Sequence, residues 1–208
     1  MPFVKRGDDG GAGPRPEQSG EPASHDAGLR SADAESRWRA TRALAESAGA
    51  VPALADALAA ETVPRVRQAI MTALIRIGDE ASVQALLPYL GSQDAGQRAA
   101  AIEALQALPE AVGPFMPALL RDGDSDIRLL AAELARNMPA QQATRLLSEL
   151  IEREPHPNVC AAAIDVLAEV GTRDAVPALR GCAQRFAATP FLPFAISAAI
   201  ARITGGES

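Results

Sequence analysis

Apolar and polar positions recur along this chain with a period of about 31 residues. Arg37, Arg67, Arg98, Arg128 and Cys160 lie 30, 31, 30 and 32 residues apart. Three residues after each stands Ala40, Ile70, Ala101, Ala131 or Ala163; six after, Ala43, Ala73, Ala104, Leu134 or Val166. Seven after come Leu44, Leu74, Leu105, Ala135 and Leu167, and ten after Ser47, Ile77, Leu108, Met138 and Val170. Those offsets share one face of an α-helix. Columns that keep register over five copies predict a helix A at the same place in every unit.

A breaker follows in a common column, Gly78, Pro109, Pro139 and Gly171, with Ala48 in the first copy. Glycine stops a helix through its backbone freedom and proline through its missing donor. A second amphipathic stretch comes next, such as Val83, Leu86, Leu87 and Leu90, or Leu146, Leu147, Leu150 and Ile151. Each unit therefore reads as helix A, tight turn, helix B. The predicted fold is all-α, an α-solenoid of about five helix pairs with a terminal capping helix over 194–203. Asp94, Asp124 and Asp126 sit where they would cap the starts of helices A. Residues 1–30, rich in Gly, Pro, Ser and acids without apolar periodicity, read as a disordered tail, and 31–208 as the array.

Composition agrees with helices. Hydrophobic residues make up 48% of the 208 positions but aromatics only 3%, and alanine fills about a fifth. Sandwiches and barrels draw on β-branched and aromatic residues and are excluded. A net charge of −6 and a pI of about 5.0 argue against a nucleic-acid partner, which needs a basic surface. Two cysteines make no disulfide framework. The first residues lack the apolar run of a secretory signal, and charges interrupt every window long enough to span a membrane, so a cytoplasmic protein without membrane contact is expected.

The segment Val66-Arg67 through Ala73-Leu74 to Ile77-Gly78-Asp79, then Ala81 to Leu90, resembles HEAT-like repeats of the bacterial phycobilisome-lyase type. The likeness runs over about residues 31–204. It implies an architecture more than a chemistry, since repeat scaffolds host many roles. Deoxyhypusine hydroxylases use similar repeats but hold iron through His-Glu pairs, and this chain has no His-Glu dipeptide. Repeat-built DNA glycosylases need a basic concave face, which the acidic balance opposes. Bilin lyase subunits share the repeat type, and a groove between helices could receive a tetrapyrrole.

Candidate residues follow from position. Arg37, Arg67, Arg98 and Arg128 are read as a structural ladder linking repeats through carboxylates and carbonyls, the alternative being an anion-binding stripe. Helix B lines the concave side in HEAT arrays; its off-core Tyr89, Phe115, Arg145, Glu149 and Arg180 are candidate protein-binding residues. Trp38, among Arg37, Arg39 and Arg42, is either an interface anchor or a cap over the open end of the core. Phe186, Phe191 and Phe194 form a C-terminal cap or a patch for weak homodimerisation. His156, Cys160 and Cys182 are the best metal or redox constellation but match no established ligand spacing. No catalytic, cofactor-binding or metal residue is assigned. The expected function is a non-enzymatic adaptor that binds another protein, an accessory in bacterial two-component or chemotaxis signalling. The alternative is a subunit of a phycobilin-lyase-like enzyme.

Overall fold

A computed structural model describes residues 22–205. Among them there are helices and turns but no strand, and the helices stack in two layers. Helix α1 (Pro22–Leu29) leads into α2 (Ala34–Leu44), the first helix A, and α3 (Val51–Ala60), its helix B. The second pair is α4 (Pro64–Ile77) with α5 (Glu80–Leu86), the latter extended by a 3-10 turn through Gly91. The third is α6 (Ala95–Gln106) with two short pieces, α7 (Pro109–Val112) and α8 (Met116–Leu119). The fourth is α9 (Ser125–Leu134) with α10 (Ala140–Arg153), and the fifth α11 (Pro157–Val170) with α12 (Val176–Arg185). Helix α13 (Leu192–Thr204) closes the array against α11 and α12. No described helix is long and apolar enough to cross a membrane.

Helices A form one layer, each packed between its neighbours, with helices B beside them. Small side chains permit this close stacking: Ala101, Ala131, Ala132, Ala135 and Ala163 are wholly buried where helices A meet. Leucines fill the seam between layers, with Leu54, Leu74, Leu86, Leu105 and Leu147 fully enclosed. The breakers act by different routes. Gly78 adopts a left-handed φ of 66° and donates to the Leu74 carbonyl at 2.9 Å, closing α4. Pro109 instead opens the next helix at its first position, where a missing N–H costs nothing. Helix B of the third unit is broken because Gly113, Pro114 and Pro117 interrupt its hydrogen-bond ladder.

Two differences from the sequence reading stand out. Helix α1 lies inside the segment read as a disordered tail and buries Leu29, while Gly28 lets α1 approach Ala40 of α2 so closely that a Cβ there would meet the Ala40 Cβ at 2.8 Å. Residues 1–21 of that segment lie outside the described residues. At the other end, α13 buries Leu192, Ile196 and Ala199, spaced on one helical face. Phe191 and Phe194 fall off that face and stand 47% and 79% exposed, so they do not cap the core; Phe186 is half-buried beneath the Arg185 guanidinium.

Candidate functional site

The arginine column marks the junctions between units. Each member turns back to the carbonyl six residues before it: Arg37 to Ser31 at 3.0 Å, Arg67 to Glu61 at 2.9 Å, Arg98 to Ser92 at 2.6 Å and Arg128 to Asp122 at 2.8 Å. Those carbonyls end the preceding helix B or turn, so the guanidinium supplies donors that the helix lacks at its C-terminus. Cys160, in the same column, offers a thiol to the Glu154 carbonyl at 3.6 Å. Arg185 of α12 supplies the missing charge there, donating to the carbonyls of Ile151 at 2.6 Å, Glu154 at 3.0 Å and Glu152.

Two of these arginines also reach forward to the turn that ends their own helix pair. Arg37 grips Glu61 through bonds of 2.8 and 2.9 Å, and Arg128 grips Glu154 through bonds of 2.7 and 2.9 Å. Both carboxylates are nearly enclosed and accept backbone N–H bonds as well, Glu61 from Thr62 and Val63, Glu154 from His156. The Arg37 hydrogen bond, with help from those amides, holds the Glu61 carboxyl down at about 2. For Glu154 burial pushes upward, yet the bonds from Arg128 and His156 prevail and the carboxyl stays below its ordinary range. Where the junction holds such a glutamate, helix A opens on a proline, Pro64 or Pro157. Elsewhere an aspartate caps helix A: Asp33 accepts from Ser36 N–H, Asp94 from Gly96 and Gln97, Asp124 from Asp126. Asp126 itself lies within the first turn of α9 and does not cap it.

The residues singled out on helix B do not form one patch. Tyr89 and Phe115 pack half-buried against the core, and burial pushes the Tyr89 hydroxyl above its usual pKa. Arg145 and Glu149 share a cleft of about 260 Å³ on α10 with Asp174 across from them, and Glu149 also faces Arg121 at 3.7 Å. Arg180 is exposed on α12, outside that cleft. Trp38 belongs to the other layer. Its ring is half-buried between α2 and α4, with the guanidinium carbons of Arg42 and Arg65 at 4.9 and 4.5 Å from its centroid. The cleft it borders, about 410 Å³, is floored by Ala45, Ala69 and Ala73 and walled by Arg42, Arg65 and Arg76.

The fold brings the two thiols of the sulfur constellation together and leaves the histidine apart. Cys160 and Cys182 are both buried and share a hydrogen bond that, together with burial, pushes the Cys160 thiol far up. His156 is exposed in the turn before α11. Among the described residues no group of three His, Cys, Asp or Glu side chains is placed to hold a metal ion. A network joins the C-terminal end of α9 and the turn after it to α11: Arg136 binds Asp165 at 2.9 Å, Glu133 at 3.4 Å and Glu169. Its signal was present, since Arg136 and Asp165 lie 29 residues apart, close to the repeat length.

A family model for HEAT repeats matches residues 27–106 and 113–187. The chain belongs to the HEAT-repeat family. This HEAT array is 34% identical over 148 residues to the bilin biosynthesis protein PecE of Mastigocladus laminosus, a match covering 69% of this chain and 54% of that protein. The chain thus spans about half the length of this curated relative. Among solved structures, an engineered protein aligns over 89% of this chain and 97% of its own at 22% identity, with a TM-score of 0.44. The complex of CpcE and CpcF of phycocyanin lyase from Nostoc sp. PCC7120 aligns over 97% of this chain and 100% of that one at 18% identity, with a TM-score of 0.38. The PecE match corrects the expectation of a non-enzymatic signalling adaptor: the relative is a bilin biosynthesis protein.

Proposed function

We propose that this HEAT array is a subunit of a bilin-lyase-type enzyme, handling an open-chain tetrapyrrole together with a protein partner in the cytoplasm. The observation that carries the reading is the 34% identity over 148 residues to a bilin biosynthesis protein. The physical character of the array supports it. Stacked helix pairs present extended surfaces, as suits a protein that positions a long flexible molecule against a second chain. The protein need not supply a metal or a catalytic triad for this task, because holding and orienting two reactants is itself a catalytic contribution.

The test is direct. The full chain is produced in cells that also make biliverdin through a haem oxygenase, purified, and examined by visible absorbance. A protein that carries the tetrapyrrole through gel filtration supports the reading. A colourless protein that also fails to take up added biliverdin overturns it.

A further inference from the structure

We infer that the cleft between α2 and α4, bordered by Trp38, is the site where this protein holds the carboxylate side chains of a linear tetrapyrrole. The inference rests on the bilin-handling reading above and gives it a location. Linear tetrapyrroles are flat, conjugated and apolar over most of their surface, and carry two propionate groups. A matching site needs a small-residue floor, an aromatic wall and cations that no local carboxylate has neutralised.

This cleft supplies the floor, the wall and two such cations. Alanines form its floor, so a flat body can lie close to the helix backbones. Three arginines, Arg42, Arg65 and Arg76, line it, and no acidic side chain does. That is unusual in a chain of net charge −6. Four other clefts each contain at least one carboxylate: Glu61, Asp124, Asp94 and Glu149 are examples. Arg65 already meets Glu35 at 3.2 Å, but neither Arg42 nor Arg76 has a carboxylate in ion-pair range among the described residues. Stacking on Trp38 holds Arg42 and Arg65 in place before any ligand arrives, which lowers the entropy cost of fixing them. The arrangement is a preorganised receptor for carboxylates beside an apolar floor.

Trp38 is the only tryptophan in the chain, so the site carries its own reporter. Biliverdin absorbs where indole emits, and its binding beside Trp38 quenches the emission. Purified full-length protein is titrated with biliverdin and with biliverdin dimethyl ester, whose propionates carry no charge. Saturable quenching by biliverdin is expected, with affinity at least tenfold weaker for the ester and falling as salt rises. The Arg42→Gln/Arg76→Gln variant keeps its tryptophan and should lose at least tenfold in affinity at unchanged helicity and melting temperature. An Arg145→Gln/Arg180→Gln variant on the other layer should bind as the wild type does. Equal binding of biliverdin by the wild type and the Arg42/Arg76 variant overturns the cleft while leaving the bilin reading intact. Equal binding of acid and ester overturns it too. A wild type that ignores biliverdin but binds hexaglutamate overturns both and marks the cleft as a dock for an acidic protein segment.

Discussion

Arg128 and Glu154 hold each other across one helix pair, 26 residues apart, through two parallel bonds of 2.7 and 2.9 Å. The guanidinium has 11% of its side chain exposed and the carboxylate 2%. Water therefore screens the pair weakly, and each partner would be left as a buried charge if the other were removed. The same geometry recurs at Arg37 and Glu61. In both cases the glutamate also receives backbone amides at the start of the next helix A, so one carboxylate ties three things together: a guanidinium, a turn and a helix entry.

Glu154→Ala is expected to cost about 3 kcal/mol of stability, because Arg128 then keeps its burial without its partner. Urea unfolding followed by circular dichroism checks this. The double variant Arg128→Met/Glu154→Leu should recover part of the loss, since an apolar pair of similar size needs no compensation. A single variant that costs under about 1 kcal/mol would show that water reaches the junction.

Acid should loosen the array in a defined window. The Glu61 carboxyl sits at about 2 in the folded chain, against an ordinary value of 4.5. A depressed folded pKa contributes stability that is complete above the unfolded value and lost as pH falls through the folded one. The melting temperature should therefore drop between about pH 4.5 and about pH 2. Glu61→Gln removes this titration, so the variant should be less stable at neutral pH and show a shallower fall in acid. Parallel slopes for the two proteins would contradict the assignment.

Cys160 and Cys182 should resist thiol reagents while the protein is folded. Both lie fully inside the core; the hydrogen bond between them pushes the Cys160 thiol up and the Cys182 thiol down to about 7, so burial is what shields the pair. With a chromogenic disulfide reagent, release is expected only at the rate of unfolding, and in full once urea exposes both groups. Rapid modification without urea would mean that α11 and α12 separate in the native state.

Gly78→Ala should destabilise by about 1–2 kcal/mol, because an L side chain is strained at its left-handed φ. The added Cβ would also meet the Ile75 carbonyl at 3.2 Å and Leu108 at 3.3 Å. Gly91→Ala provides the control, as a Cβ there meets nothing within 4 Å. Thermal melts of the two variants should differ clearly. Equal stability would indicate that the α4–α5 turn relaxes at little cost.

Much of the site was legible only in part. The arginine column was visible from spacing. The acids written closest to it, Asp94 and Asp124, cap helix amides, whereas the carboxylates that meet arginine, Glu61 and Glu154, stand at the far end of the same helix pair. The missing fifth arginine was plain at Cys160, but its replacement by Arg185 lies 31 residues from the carbonyl it serves, on a different helix. Of the arginines near Trp38 in sequence, Arg37, Arg39 and Arg42, only Arg42 flanks its ring; the second flanking cation, Arg65, comes from the next helix A.

The sequence by itself determined the repeat, the helix pairs and the alanine-rich stacking face, because helical periodicity and helix stops are properties of neighbouring residues along one chain. Ion pairs, cleft and buried thiols were decided by the rotation and offset of each unit on the last. Those quantities arise from packing between helices about 31 residues apart, and no local spacing encodes them. Arg67 and Arg128 occupy the same column, yet only Arg128 finds a carboxylate in the turn that ends its own helix pair.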